Sequence, residues 1–279
     1  MGDLEHQTAI DKIGEGRYRA ALHPDWAIWG PNGGYVAAIA LRAAGAESRF
    51  VRPASFLCQY LSVAEFAEVE LRVETLRDGR RTQALKVSMH QEERHILEAL
   101  VWTVAPNQGL VHDFTRCPAV PPPEDLPSIE DLLAQKGREV AGFWRNYDYR
   151  PIDGLTDGES EPGEPRIRGW YRFRPRARCE DPFADAGRSL VLIDTYTWAS
   201  VWAAYPSDGA LPFIAPNLDL HVRFHRSAAE SEWLFCEGRA DLAEEGLIAA
   251  DMRVWSREGK LLASGSAHLY SRPRPERYR

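Results

Sequence analysis

Several things this chain lacks narrow what it can do. It has only 4 cysteines, and Cys58, Cys117, Cys179 and Cys236 stand far apart with no CxxC pair, so neither a zinc knuckle nor a thioredoxin-type site is encoded. Unpaired cysteines suit a reducing compartment, and a cytoplasmic location is expected. No apolar run reaches the roughly 20 residues that cross a bilayer; the longest are Tyr35–Ala44 and Ile96–Ala105. The opening residues, MGDLEHQTAIDK, are charged where a secretory signal is apolar, and His6 stands where a myristoylation motif has Ser or Thr. Positive charge is not in excess either. With 34 Lys and Arg against 41 Asp and Glu, the net charge is −7, so no global field draws the chain onto nucleic acid or an anionic membrane.

What is present is the composition of a folded protein. Of 279 residues 44% are hydrophobic, enough for one large core or two of roughly 100 to 150 residues each. The order of elements favours two. Residues Pro31–Ala44, PNGGYVAAIALRAA, read as a loop of turn formers opening into a helix that is apolar on nearly every side. Strand-like segments follow at Ser55–Val63, Val69–Arg77, Thr82–His90 and His95–Ala105, parted by turn signals such as Asp78-Gly79.

The same order returns later. Leu192–Ala204 is an apolar helix candidate, followed by strands at Asn217–Arg226, Glu232–Ala243, Ile248–Ser256 and Leu261–Tyr270. At a nearly constant offset Asn32 corresponds to Asp194 and Ser55 to Asn217, placing Asn32 and Asp194 at two equivalent helix starts. Thr8–Leu22 and Phe143–Arg178 supply opening strands for the two copies. The proline-rich stretch between them is expected to be an exposed linker with one short helix at Ser128–Ala134. The expected division is residues 1–106, a linker 107–140, and residues 141–279.

A helix that is apolar all round must be covered all round, which a curved antiparallel sheet does. The expected fold is therefore α+β, a tandem or double hotdog in which each curved antiparallel sheet wraps a central helix. In Asn217–His225 the alternation puts Leu218, Leu220, Val222 and Phe224 on the covering face.

Three pieces, VETLRDGR at Val73–Arg80, the Asn32-Gly33-Gly34 helix opening and the strand from Asp219 to Arg226 ending FHR, resemble the acyl-CoA thioesterase II family over nearly the whole chain. That resemblance implies hydrolysis of acyl-CoA or other acyl thioesters, no cofactor and no metal, and a homo-oligomer, dimer or tetramer. It also implies a water activated by an Asp at the second helix start, a Thr on the next strand and a Gln on the last strand. Asp194 matches the Asp, Asn217 stands at the Thr position and Ala267 at the Gln position. His268, the neighbour of Ala267, substitutes only if that strand is bulged.

Asp194 is the candidate base, because water attacks a thioester poorly until a proton is removed; an N-cap is the plainer role. Asn217 is a candidate for positioning water, with Ser55 as its repeat mate on the substrate side. Asn32, Gly33 and Gly34 offer free helix-start amides to a thioester carbonyl, or serve only tight helix packing. Arg166 and Arg168, in RIRGWYRFRPRAR, could grip the phosphates of coenzyme A or form a solvated strand face. His221 and His225 lie too far apart on a strand to share a metal ion. His23 reads as a turn residue, and Trp26 and Trp29 as core or tunnel wall. A hotdog hydratase or dehydratase, using Asp194 with His268, and a non-catalytic acyl-thioester binder are the competing functions.

Overall fold

The computed structural model describes residues 1–140, 142–154, 163–205 and 212–274. The first half runs α1 (Leu4–Gln7), β1 (Asp11–Gly14), β2 (Arg17–Ala21), α2 (Gly33–Glu47), β3 (Arg52–Tyr60), β4 (Glu68–Asp78), β5 (Thr82–Gln91) and β6 (Arg94–Val104). After α3 (Ile129–Gln135) come β7 (Tyr147–Pro151), β8 (Arg166–Phe173), α4 (Pro182–Trp202), β9 (Phe213–Ile214), β10 (Asp219–Phe224), β11 (Leu234–Glu244), β12 (Leu247–Ser256), β13 (Leu261–Tyr270) and β14 (Arg272–Pro273).

The main sheet has 12 strands in the order β1-β2-β4-β5-β6-β3-β10-β13-β12-β11-β8-β7. Each half contributes six, and β3 pairs antiparallel with β10 through Cys58↔Leu220 and Phe56↔Val222, so the two wrapping sheets are one. The expected helix-and-meander order is present twice, and the hotdog arrangement is that of the protein. No helix among the described residues is long and apolar enough to cross a membrane.

Inside the sheet the two long helices cross each other. Tyr35 to Leu41 of α2 and Leu190 to Asp194 of α4 are all buried, as helices without a wet face must be. Small residues let the backbones meet: a Cβ on Gly34 would lie 2.6 Å from Val191 Cα and 2.9 Å from Leu190 O. Full burial of one Leu, Ile or Val side chain stabilises by roughly 1.5–3 kcal/mol, so this layer dominates the core.

The second helix departs from expectation. It begins at Pro182, ten residues before Leu192, and Asp181 is its N-cap, accepting from the Phe183 and Ala184 amides. Asp followed by Pro is a strong start signal, outweighed in the sequence reading by the apolar run further on. Asp194 is therefore in the middle of a helix, not at its start.

Between the halves, the short helix expected at Ser128–Ala134 is α3, started by a capping box between Ser128 and Asp131. The linker is exposed over Leu110, Val111 and Phe114 and then packs down. Cys117, Val120 and Leu126 rest on a second small core of Trp170, Phe235, Trp255 and Leu261 on the outer sheet face, where Trp170 Nε1 donates to Pro121 O at 2.9 Å. The chain start also docks onto the second half, with the Gly2 amide donating to Asn146 Oδ1 at 2.7 Å.

Candidate active site

Asp194 is 6% exposed, and its carboxylate lies against the first turn of the other half's helix. There Asn32 caps α2, accepting from the Tyr35 amide at 2.8 Å. Its Nδ2 donates to Asp194 Oδ2 at 3.1 Å and to Thr195 Oγ1 at 3.3 Å. The Gly34 amide also faces the carboxylate. Asp194 is expected at a helix start, and a helix-start field does act on it, but that field comes from α2, whose amide dipoles favour an anion at that end. Gly33 is required for the approach, since a Cβ there would lie 2.7 Å from Asp194 Oδ1.

The other oxygen is held from two strands. Asn217 Nδ2 donates to Asp194 Oδ1 at 2.6 Å, and the Tyr60 hydroxyl donates to the same oxygen at 3.3 Å. Thr197 Oγ1 lies 3.0 Å from Asn217 Oδ1 and 2.6 Å from Asp194 O, which fixes the amide so that its NH₂ faces the carboxylate. Burial raises the pKa of Asp194 to about 6, and the Gly34, Asn217, Tyr60 and Asn32 donors, each favouring the charged form, only partly offset it. A carboxylate with that value is charged near neutral pH yet basic enough to take a proton.

Asn217 owes its direction to a bulge. It pairs with Leu269, while His221 pairs with Ser266, so four steps along one strand oppose three along the other. The alternation expected through Leu218 fails there. Leu218 is 42% exposed while Leu220 and Val222 are fully buried, and Asn217 turns inward in its place. Tyr60 was not anticipated. Phe56 and Cys58 are buried on the inner face of β3, and period two from them reaches Tyr60, a signal the sequence does carry.

The remaining candidates lie elsewhere. His268 is on the outer face of β13, its Nδ1 3.0 Å from Asp219 Oδ2, while its neighbour Ala267 is buried; β13 has no bulge there, so His268 does not reach Asp194. Ser55 alternates with buried Phe56 and sits on the outer face opposite Trp102 and Arg223. Arg168 forms a two-pronged pair with Asp153, and Arg166 pairs with Glu164; β8 stands four strands from β10. These arginines are neutralised partners on a strand face and do not converge on the carboxylate. Asn32, Gly33 and Gly34 come together as expected, but they serve Asp194. His225 contacts Ser264 at 3.0 Å, His23 caps a turn at Asp25, and fully buried Trp26 stacks on Tyr35 with ring centroids 5.2 Å apart. Trp29 is 37% exposed. Among the described residues no group of three or more His, Cys, Asp or Glu could hold a metal ion.

A buried carboxylate seated between two equivalent helices of a doubled hotdog can be compared with known proteins. Residues 22–104 match the acyl-CoA thioesterase N-terminal domain, and residues 115–268 match the acyl-CoA thioesterase C-terminal domain. The chain belongs to the acyl-CoA thioesterase family. This acyl-CoA thioesterase family member is similar in fold to the acyl-CoA thioesterase II TesB2 from Mycobacterium marinum, at 20% identity and TM-score 0.79, over 99% of this chain and 100% of that one. It is also similar to the tesB protein of Mycobacterium avium subs paratuberculosis, at 22% identity and TM-score 0.77, covering 97% and 98%. A dehydratase domain of the curacin polyketide synthase is more distant, at 12% identity and TM-score 0.59 over 97% of this chain and 99% of that one.

Proposed function

We propose that this protein hydrolyses acyl-CoA thioesters with Asp194 as the general base. Membership of the thioesterase family makes it a thioester hydrolase. The observation that carries the residue assignment is a buried carboxylate with its pKa raised to about 6, held between Asn32, Asn217 and Tyr60.

Asp194 takes a proton from water as the water oxygen attacks the thioester carbonyl carbon. The tetrahedral intermediate collapses with cleavage of the C–S bond, giving the carboxylic acid and the coenzyme A thiol, which recovers a proton. Asn217, locked by Thr197, orients the base. The hydratase alternative needs Asp194 and His268 together, and His268 faces the other way with Asp219. Release of free thiol from a panel of acyl-CoAs, lost in Asp194→Asn, tests the assignment; binding without thiol release would favour an acyl-binding role.

We also read the chain as a cytoplasmic homo-oligomer of two hotdog units, residues 1–106 and 141–279. Supporting this are the free cysteines Cys58, Cys117, Cys179 and Cys236 and the apolar side chains of Leu57, Leu100 and Trp102, exposed on one outer sheet face. The mass in solution, compared with a Trp102→Glu variant, tests the assembly.

A further inference from the structure

Each oxygen of an ionised carboxylate offers about two acceptor positions, and on Asp194 Oδ1 both are taken, by Tyr60 and Asn217; Oδ2 accepts from Asn32 and faces the start of α2. An Oδ1 with both positions engaged cannot also hold the water it activates. For water to sit there one donor must leave when substrate binds, and the donors are unequally free to do so.

Asn32 is pinned as the cap of α2 and is only 3% exposed. Gly34 is helix backbone. Asn217 makes the shortest contact, 2.6 Å, and its other end is held by Thr197. Tyr60 makes the longest, 3.3 Å. Like Asn217, Tyr60 is only partly buried as a residue, but its other polar neighbour is the weakly bonding thiol of Cys58. A phenol that leaves Asp194 keeps its proton, since burial beside the carboxylate and the thiol holds its pKa well above the usual range. It then has one donor to give, and a thioester carbonyl is the acceptor that arrives.

We infer that Tyr60 is an exchangeable donor: its hydroxyl occupies Asp194 Oδ1 in the free enzyme and transfers to the thioester carbonyl oxygen in the complex, which opens Oδ1 to water and polarises the carbonyl in one movement. This rests on Asp194 being the base. The titratable groups facing that carboxylate are Tyr60 and Cys58 from β3 and Tyr147 from β7, and no cation pairs with it among the described residues.

The test is Tyr60→Phe, which removes one oxygen and keeps the ring. The acid limb of kcat/KM reports the free enzyme and that of kcat the complex. In Tyr60→Phe the kcat/KM limb should move to higher pH by on the order of one unit, because a donor to the charged form is gone. The kcat limb should stay in place while kcat itself falls by about 10- to 100-fold for want of the carbonyl donor. Equal movement of both limbs would show that Tyr60 never leaves Asp194, and no movement of either would make it structural; each result overturns the inference.

Carbon-13 NMR titration of the Asp194 carboxyl, in the free protein and with a non-hydrolysable ketone analogue of acyl-CoA bound, in which a methylene group separates the carbonyl from the sulfur, reads the same exchange without turnover. A midpoint raised by Tyr60→Phe only in the free protein is expected. If wild-type protein released no thiol while that difference persisted, the hydrolase assignment would fall and the donor exchange would stand. A midpoint raised in both states, or in neither, would remove the exchange alone.

Discussion

The hydroxyl of Tyr60 and the carboxylate of Asp194 lie 3.3 Å apart, although one residue closes a strand of the first half and the other sits mid-helix in the second. Asn32 crosses the same divide. The site is thus assembled from both copies of the repeat, with the carboxylate from one and its helix-start field from the other.

The acid limb of the reaction follows from that burial. Asp194 must be charged to accept a proton, and its pKa is about 6, so kcat/KM is expected to be flat near neutral pH and to fall about tenfold per unit below pH 6. A pH–rate profile on one acyl-CoA checks it, and a limb near pH 4 would contradict the buried-base assignment.

Stability should carry the same signature with the opposite sign. The Asp194 pKa is raised from 3.8 to about 6 on folding, so the folded protein holds the proton more tightly than the unfolded chain. The stabilisation is fully present below about pH 4 and is lost as pH rises through 6, a change of about 3 kcal/mol. Denaturant unfolding at several pH values should show this dependence in wild type and its loss in Asp194→Asn.

The two glycines of the α2 start should fail differently. Gly34→Ala pushes a methyl into the Val191 backbone and Gly33→Ala pushes one into the Asp194 carboxylate. The first should cost about 1–3 kcal/mol of stability. The second should keep more of its stability and lose activity, since a carboxylate can move where a backbone cannot. Melting temperature and thiol release, measured together, separate the two.

Thr197→Val should release the Asn217 amide and lower kcat by about tenfold. Wild-type kcat in Thr197→Val would show that the 3.0 Å contact to Asn217 does not orient the base.

His268→Ala and Arg168→Ala should leave kcat/KM within about twofold, as substitutions away from a site usually do. A large loss in either would contradict the outward placement of these side chains.

Much of this was legible beforehand. The repeated helix-and-meander order and the strand positions follow from period two and from turn residues, which act over a few neighbours. The start of α4 was legible too, in Asp181-Pro182, but was masked by the stronger apolar run at Leu190 to Ile193. Tyr60 lay within reach of the alternation through Phe56 and Cys58, yet nothing local says that a tyrosine at a strand end will meet a carboxylate more than a hundred residues away.

Alone, the sequence determined the secondary elements, the doubling and the presence of an ionisable residue among apolar neighbours, because hydrophobic periodicity is a property of adjacent residues. Tertiary structure decided which donors reach Asp194, that a one-residue slip at Leu218 turns Asn217 inward, and that His268 faces out. Those outcomes depend on the pairing of β3 with β10 and on the crossing of α2 over α4, contacts between distant segments that no local pattern specifies.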